Sequence, residues 1–291
     1  MVRCALITDS CCELPRTVAD ELGIVVLPFS FTLDGAEHLD ELGDSLSHAD
    51  FYSALRAGAL PTTAQVPMGS YLGAFRAAAS AGLPAVFLSF SSGMSGTFES
   101  AQLARTTVLS EFPTADIRIV DTRCASAAQS LLLLLAGRLY ASGATADEIE
   151  EWARENRDHI HGYFTLETLE HLRRGGRISD VAAAAGTMLD VRPVLRIDRA
   201  GRLRIDRATR GRKKSMRALA DILAQKAVDP AGRTVVVAHA DCARDAAALV
   251  AMLSERVDIG EIVTLEVGPV IGTHTGPGML AVAFFGAARE G

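Results

Sequence analysis

Ala85-Val86-Phe87-Leu88-Ser89-Phe90, followed at once by Ser91-Ser92-Gly93-Met94-Ser95-Gly96-Thr97, is the stretch on which the fold turns. A short, nearly unbroken apolar run bounded by turn residues reads as a strand buried on both faces, the habit of parallel sheets. The hydroxyl- and glycine-rich string behind it reads as a loop at the strand's carboxyl end, and residues 96–112 as the helix that this loop opens. The same alternation extends outward on both sides. Residues 2–8 read as a strand ending at Asp9-Ser10, residues 15–22 as a helix closed by Gly23, and residues 24–33 as a second strand running into an Asp34-Gly35 turn. Helices are expected at 48–57 and 68–81 and a strand at 117–121. The helix expected at 126–140 is apolar nearly all round and should be buried. Strands alternating with helices predict an α/β fold with a parallel sheet covered on both faces.

The second half reads differently. A charged helix over 147–157 runs into Asp158-His159-Ile160-His161-Gly162, and a domain boundary is expected near 155–163, dividing the chain into residues 1–158 and 159–291. Residues 168–174 read as a short helix capped by Gly175-Gly176. Residues 194–198 and 203–208, around Arg199-Ala200-Gly201-Arg202, read as a β-hairpin. A helix at 213–227, a strand at 234–240, a helix at 243–256 and strands at 262–267 and 280–285 complete a second α/β unit.

Composition limits the function. The chain has 291 residues, is 49% hydrophobic but only 5% aromatic, and so packs largely with Ala, Leu and Val. A formal charge of −6 argues against broad nucleic-acid binding, which needs a basic footprint. The basic run Arg207, Arg210, Arg212, Lys213, Lys214, Arg217 reads as a solvated face or a docking patch for an acidic partner. The five cysteines, Cys4, Cys11, Cys12, Cys124 and Cys242, form no C-x-x-C pair and no disulfide framework, which points to reduced thiols in a cytoplasmic protein. The Met1–Ser10 start lacks the apolar core of an export signal, and the Leu131–Leu135 run is too short to span a bilayer.

Three separated hydroxyl-rich segments carry the candidate chemistry: Thr62-Thr63-Ala64-Gln65, the Ser91–Thr97 loop, and Gly272-Thr273-His274-Thr275-Gly276-Pro277-Gly278. Small hydroxyls and close-approaching backbone suit an anionic head group. Ser95 stands before a helix, where it serves equally as a cap. His274, flanked by threonines and glycines, is expected on an exposed loop. Arg177, just past the Gly175-Gly176 turn, is placed to meet an anion. A serine hydrolase using Ser95 and His274 is the enzymatic alternative. The nucleophile elbow, however, needs G-x-S-x-G, and Gly93-Met94-Ser95-Gly96-Thr97 brings its second glycine one position early.

Taken in order, six strings resemble the DegV family of bacterial fatty-acid-binding proteins. They are Ile7-Thr8-Asp9-Ser10 with Glu13-Leu14-Pro15; Thr63-Ala64-Gln65, where the family usually has Thr-Ser-Gln-Pro; Ser91–Thr97; Leu169–Ser179; Arg210-Gly211-Arg212-Lys213-Lys214; and Gly268–Gly278. The resemblance implies a two-domain fold, a Rossmann-like N-terminal domain and a C-terminal α/β domain, holding a long-chain fatty acid between them. It implies a carboxylate bound near Thr63, Ser92, Gly93, Ser95, His274 and Thr275. It also implies a monomeric carrier without a cofactor, a metal or catalysis of its own. Such a carrier presents its ligand to a separate ATP-dependent fatty acid kinase for phospholipid synthesis, and His274 and Arg177 assist the phosphoryl transfer.

Overall fold

The leading strand β1 (Ala5–Asp9) is apolar and buried along most of its length, so it needs neighbours on both edges and cover on both faces. The computed structural model describes residues 4–178 and 191–290. The strand expected at 2–8 therefore begins outside the described residues, and Ser179 also lies outside them. After β1 a single 3₁₀ turn, Ser10–Cys12, leads to α1 (Arg16–Glu21) and β2 (Ile24–Leu27).

The expected single strand over 24–33 is two strands. Pro28, which has no N–H to donate to a ladder, separates β2 from β3 (Ser30–Leu33), and the two join different sheets. Between β3 and β4 (Ala36–Leu39) the Asp34-Gly35 turn forms as expected, with both residues at positive φ, 50° and 82°. After α2 (His48–Arg56), residues 62–64 form β5 (Thr62–Ala64), antiparallel to β3, where sequence suggested a loop. Next come α3 (Met68–Ser80), β6 (Ala85–Ser89), α4 (Thr97–Glu111), β7 (Ile117–Asp121), α5 (Ala127–Ala141) and α6 (Ala146–Asn156). The order β2-β1-β6-β7 is parallel throughout, as the apolar strands demand.

Residues 160–165, at the expected boundary, are β8 (Ile160–Thr165), buried at every position. It is followed by α7 (Glu170–Arg174), β9 (Val191–Ile197), β10 (Leu203–Arg210), α8 (Arg212–Lys226), β11 (Thr234–His239), α9 (Ala243–Ser254), β12 (Glu261–Glu266), α10 (Pro269–Thr275) and β13 (Leu280–Phe285). The sheet order is β10-β9-β8-β13-β11-β12, antiparallel except for β11 beside β12. The β9–β10 hairpin turns at Gly201, whose φ is 73°.

Helix α5 packs against β8, β11 and β13 on one side and the Ser10–Cys12 turn and α6 on the other. That double contact explains why it is apolar all round: residues 127–134 are buried without interruption. Helices α8 and α9 cover the opposite face of the six-stranded sheet. Among the described residues, no helix is long and apolar enough to cross a membrane.

Candidate functional site

The parallel strands and the six-stranded sheet bring their loops around a cavity of about 400 Å³. One wall is Cys11, Phe29, Phe90 and the start of α5; the other is Gly162 and Phe164 of β8, Ile197, Leu203 and the face of α10. Gly162 lets the sheet pack closely on α5: a Cβ there would stand 3.1 Å from both Ala128 Cβ and Ile197 Cδ1, tight enough that a neighbour would have to shift. The walls are largely aliphatic and aromatic, with Ser126 at the start of α5, and most of the polar lining is gathered around Thr63, Gln65, Ser95, Arg177, His274 and Thr275.

Thr63 reaches this end through the β3–β5 pairing, where it faces inward between exposed Thr62 and Ala64. Its Oγ1 shares a 2.8 Å hydrogen bond with His274 Nε2. Ser95 precedes Gly96, the N-cap of α4; its Oγ accepts from Thr97 N at 3.3 Å and donates to Thr97 Oγ1 at 3.1 Å. Gly96 permits Gln65 to close on this loop, since a Cβ would lie 2.5 Å from Gln65 Nε2, and Ser100 Oγ donates to Gln65 Oε1. Thr275 Oγ1 donates back to Ile271 O, leaving the residue in the cavity wall. Arg177 sits at the rim, its Nη1 donating to Gly175 O at 2.5 Å and its Nε to Met94 O at 3.3 Å.

The expected exposed loop around His274 is instead the last turn of α10, and the histidine is half-buried. The glycines there serve close packing. A Cβ on Gly272 would lie 2.6 Å from Tyr52 Oη and 2.9 Å from Phe51 Cε1, and one on Gly276 would enter the His171 ring. Burial, then the positive charges of Arg177 and Arg174 and the nearby His171, push the His274 imidazole down to about 4. It is therefore neutral at ordinary pH. Partial desolvation also lowers the Arg177 guanidinium.

Ser92 and Gly93 do not join this cluster. Ser92 Oγ donates to Asp121 Oδ2 at 2.6 Å, and Asp121 Oδ1 accepts from Ser92 N at 3.1 Å. Gly93 lies against the hairpin turn, where a Cβ would meet Ala200 O at 2.6 Å, and Ser91 Oγ donates to Gly201 O. Half of the serine loop thus anchors the β9–β10 hairpin. Asp9 and Ser10, at a strand end suited to ligands, are fully buried and absent from the lining. Cys11 was missed as a wall residue. It and Cys12 are buried in the 3₁₀ turn, where burial pushes both thiols well above 9. The strand at β8 carries its own local signal, since Ile160, Tyr163 and Phe164 are strand formers.

Ser95 and His274 share no hydrogen bond, and no carboxylate orients the imidazole, so the nucleophile-and-base arrangement of a hydrolase is absent among the described residues. Of the basic run, Arg212 pairs with Asp245 and Arg207 with Asp206, whereas Arg210, Lys213, Lys214 and Arg217 are exposed. Among the described residues no group of three or more His, Cys, Asp or Glu side chains is placed to hold a metal.

Fold and cavity define an α/β protein built around an apolar chamber with a polar cap. The chain belongs to the DegV family: the family described as "Uncharacterised protein, DegV family" matches residues 3–287. A DegV domain-containing protein of Clostridium perfringens is 39% identical over 290 residues, covering 100% of both chains. Among solved structures, a DegV family protein from Thermus thermophilus, described by its fatty acid binding, superposes with a TM-score of 0.85 at 30% identity, covering 97% of this chain and 99% of that one. The Fatty Acid Kinase (Fak) B3 protein of Streptococcus pneumoniae, loaded with linoleic acid, has the same fold, with a TM-score of 0.83 at 22% identity over 97% of this chain and 98% of its own.

Proposed function

We propose that this protein binds one long-chain fatty acid, its tail in the apolar chamber and its carboxylate among Thr63, Ser95, His274 and Thr275, with Arg177 at the rim. The observation that carries the reading is the pairing, among the described residues, of a largely apolar cavity of about 400 Å³ with a polar end around Thr63 and His274. Burying a C16 chain at about 0.8 kcal/mol per CH₂ provides on the order of 10 kcal/mol, enough for retention without a covalent bond. Hydroxyl and imidazole donors satisfy a carboxylate that would otherwise be costly to bury. The fatty-acid binding described for the Thermus thermophilus protein supports the same ligand class.

A carrier role accompanies this reading. The protein would present the carboxylate to a separate ATP-dependent fatty acid kinase, with His274 and Arg177 beside the phosphoryl group, and would have no catalysis of its own. The motif resemblance supports this part, as does the name of the Streptococcus pneumoniae protein, whose likeness is one of fold. Residues 1–158 and 159–291 would then act as two domains closing on the tail, in a cytoplasmic monomer that takes a fatty acid and no cofactor. Denaturing extraction of the purified protein followed by mass spectrometry tests the reading. A stoichiometric C14–C18 fatty acid is expected, and a protein that is empty and takes up no added fatty acid would overturn it.

A further inference from the structure

Beside the chamber the fold buries three carboxyl side chains, Asp9, Glu13 and Asp40, at 0%, 6% and 3% exposure. Asp9 has a plain structural task, since it accepts from Phe90 N at 2.7 Å and Gln129 Nε2 at 3.1 Å. Glu13 and Asp40 converge instead on the start of α10. Glu13, itself at φ 55°, accepts from Gly268 N through Oε2 at 2.6 Å. Asp40 is buried beside the same helix start, its carboxyl facing Ser10, Leu42 and Val270. A Cβ on Gly268 would stand 3.1 Å from Glu13 Oε2 and 3.4 and 3.5 Å from the two Asp40 oxygens, so both carboxyls close on one point of the backbone. Tyr52 Oη secures the approach to that point, donating to Val267 O at 2.7 Å.

Neither carboxyl makes an ion pair among the described residues, and Glu13 Oε1 and Asp40 Oδ1 are buried without a hydrogen-bond partner. Burial and the neighbouring Asp40 both disfavour charge on Glu13, so ionising the two carboxyls together is costly in the folded state. The groups that face the pair are Asp9 at the end of β1, Cys11 and Cys12 in the 3₁₀ turn, and Tyr52 on α2, with Glu266 beyond it. Each is neutral or negative. Helix α10 is only seven residues long, and from Val270 to His274 it rises about 6 Å, so displacing its start displaces the imidazole.

We propose that Glu13 and Asp40 are positioning residues: a carboxyl pair, holding at least one proton, that clamps the start of α10 and so sets His274 against Thr63, and that loosens when both groups ionise. Burial supports the protonated form, pushing Asp40 up to about 7 and Glu13 well above its ordinary range. The inference rests on the fatty-acid reading of the chamber.

The test is palmitate affinity from about pH 6 to about pH 9 for the full chain, E13Q and D40N, with His274 ring resonances followed by NMR. Wild type should lose affinity by about tenfold or more above about pH 7, while each amide variant stays within about threefold of its neutral-pH value throughout. Superimposed profiles, or a flat wild-type profile, would overturn the clamp. So would unfolding of both variants at about pH 6, where an amide should replace a neutral carboxyl. If wild type takes no palmitate at any pH, the chamber reading fails by itself. The clamp is then decided by His274, whose resonances should move with rising pH in wild type and hold still in D40N.

Discussion

Gly175→Ala perturbs the head-group end without altering any side chain that would touch the ligand. Gly175 has φ −74° and ψ −9°, a conformation that alanine adopts freely, so no backbone strain enters. The new methyl would overlap His274 Nδ1 and lie 2.8 Å from Cε1. Carbon contacts settle near 3.5–4.0 Å, so the ring must retreat by about 1 Å or more. That movement breaks the 2.8 Å hydrogen bond between Thr63 Oγ1 and His274 Nε2. A lost hydrogen bond that leaves a buried partner unpaired costs about 1–3 kcal/mol, offset by up to about 1 kcal/mol from the reduced freedom of the unfolded chain. A net destabilisation of about 1–2 kcal/mol is expected in urea denaturation, with palmitate affinity lower by about tenfold. Gly176→Ala is the control: its φ is 70° and a Cβ meets nothing within 4 Å, so it should lose about 1 kcal/mol of stability with affinity unchanged. Wild-type affinity and unmoved His274 resonances in Gly175→Ala would refute the reasoning.

Ser95→Ala removes the acceptor of Thr97 N and, on the proposed reading, a hydroxyl beside the carboxylate, so palmitate affinity should fall by about 1–3 kcal/mol in a binding titration. His274→Ala should impair kinase-coupled acyl-phosphate formation more than palmitate retention, and unchanged turnover would remove the role assigned to it. For His274 the folded value of about 4 lies below the ordinary 6.5, so its contribution is complete above pH 6.5 and is lost as pH falls toward 4. The gap is worth about 3 kcal/mol, read as the difference between wild type and His274→Gln in urea denaturation at about pH 4 and about pH 7.5. Gly201→Ala forces a side chain into φ 73° and sets its Cβ onto Ser91 Oγ, so the hairpin should lift from the serine loop and hydrogen exchange of the amide at position 201, which bonds Asp198 O in the parent, should quicken.

Sequence alone determined the α/β class, because the strand at 85–90 is apolar enough to demand burial on both faces, and the helix at 126–140 demands it all round. These are local signals, carried by side-chain periodicity within one element. The family was equally legible, because its six strings are contiguous. Pro28 splitting one expected strand into two sheets was recoverable from the same rules, as was β8 from its Ile, Tyr and Phe residues. The composition of the head-group end was not. Ser92 and Ser95 are the same residue type three positions apart, yet Asp121 takes the first and the cavity keeps the second. Thr63 meets His274 across 211 positions of chain, and the glycines around His274, which suggested an open loop, let α10 pack on Tyr52 and His171. Which hydroxyl faces the chamber depends on contacts between elements remote in sequence, and only the tertiary packing specifies those.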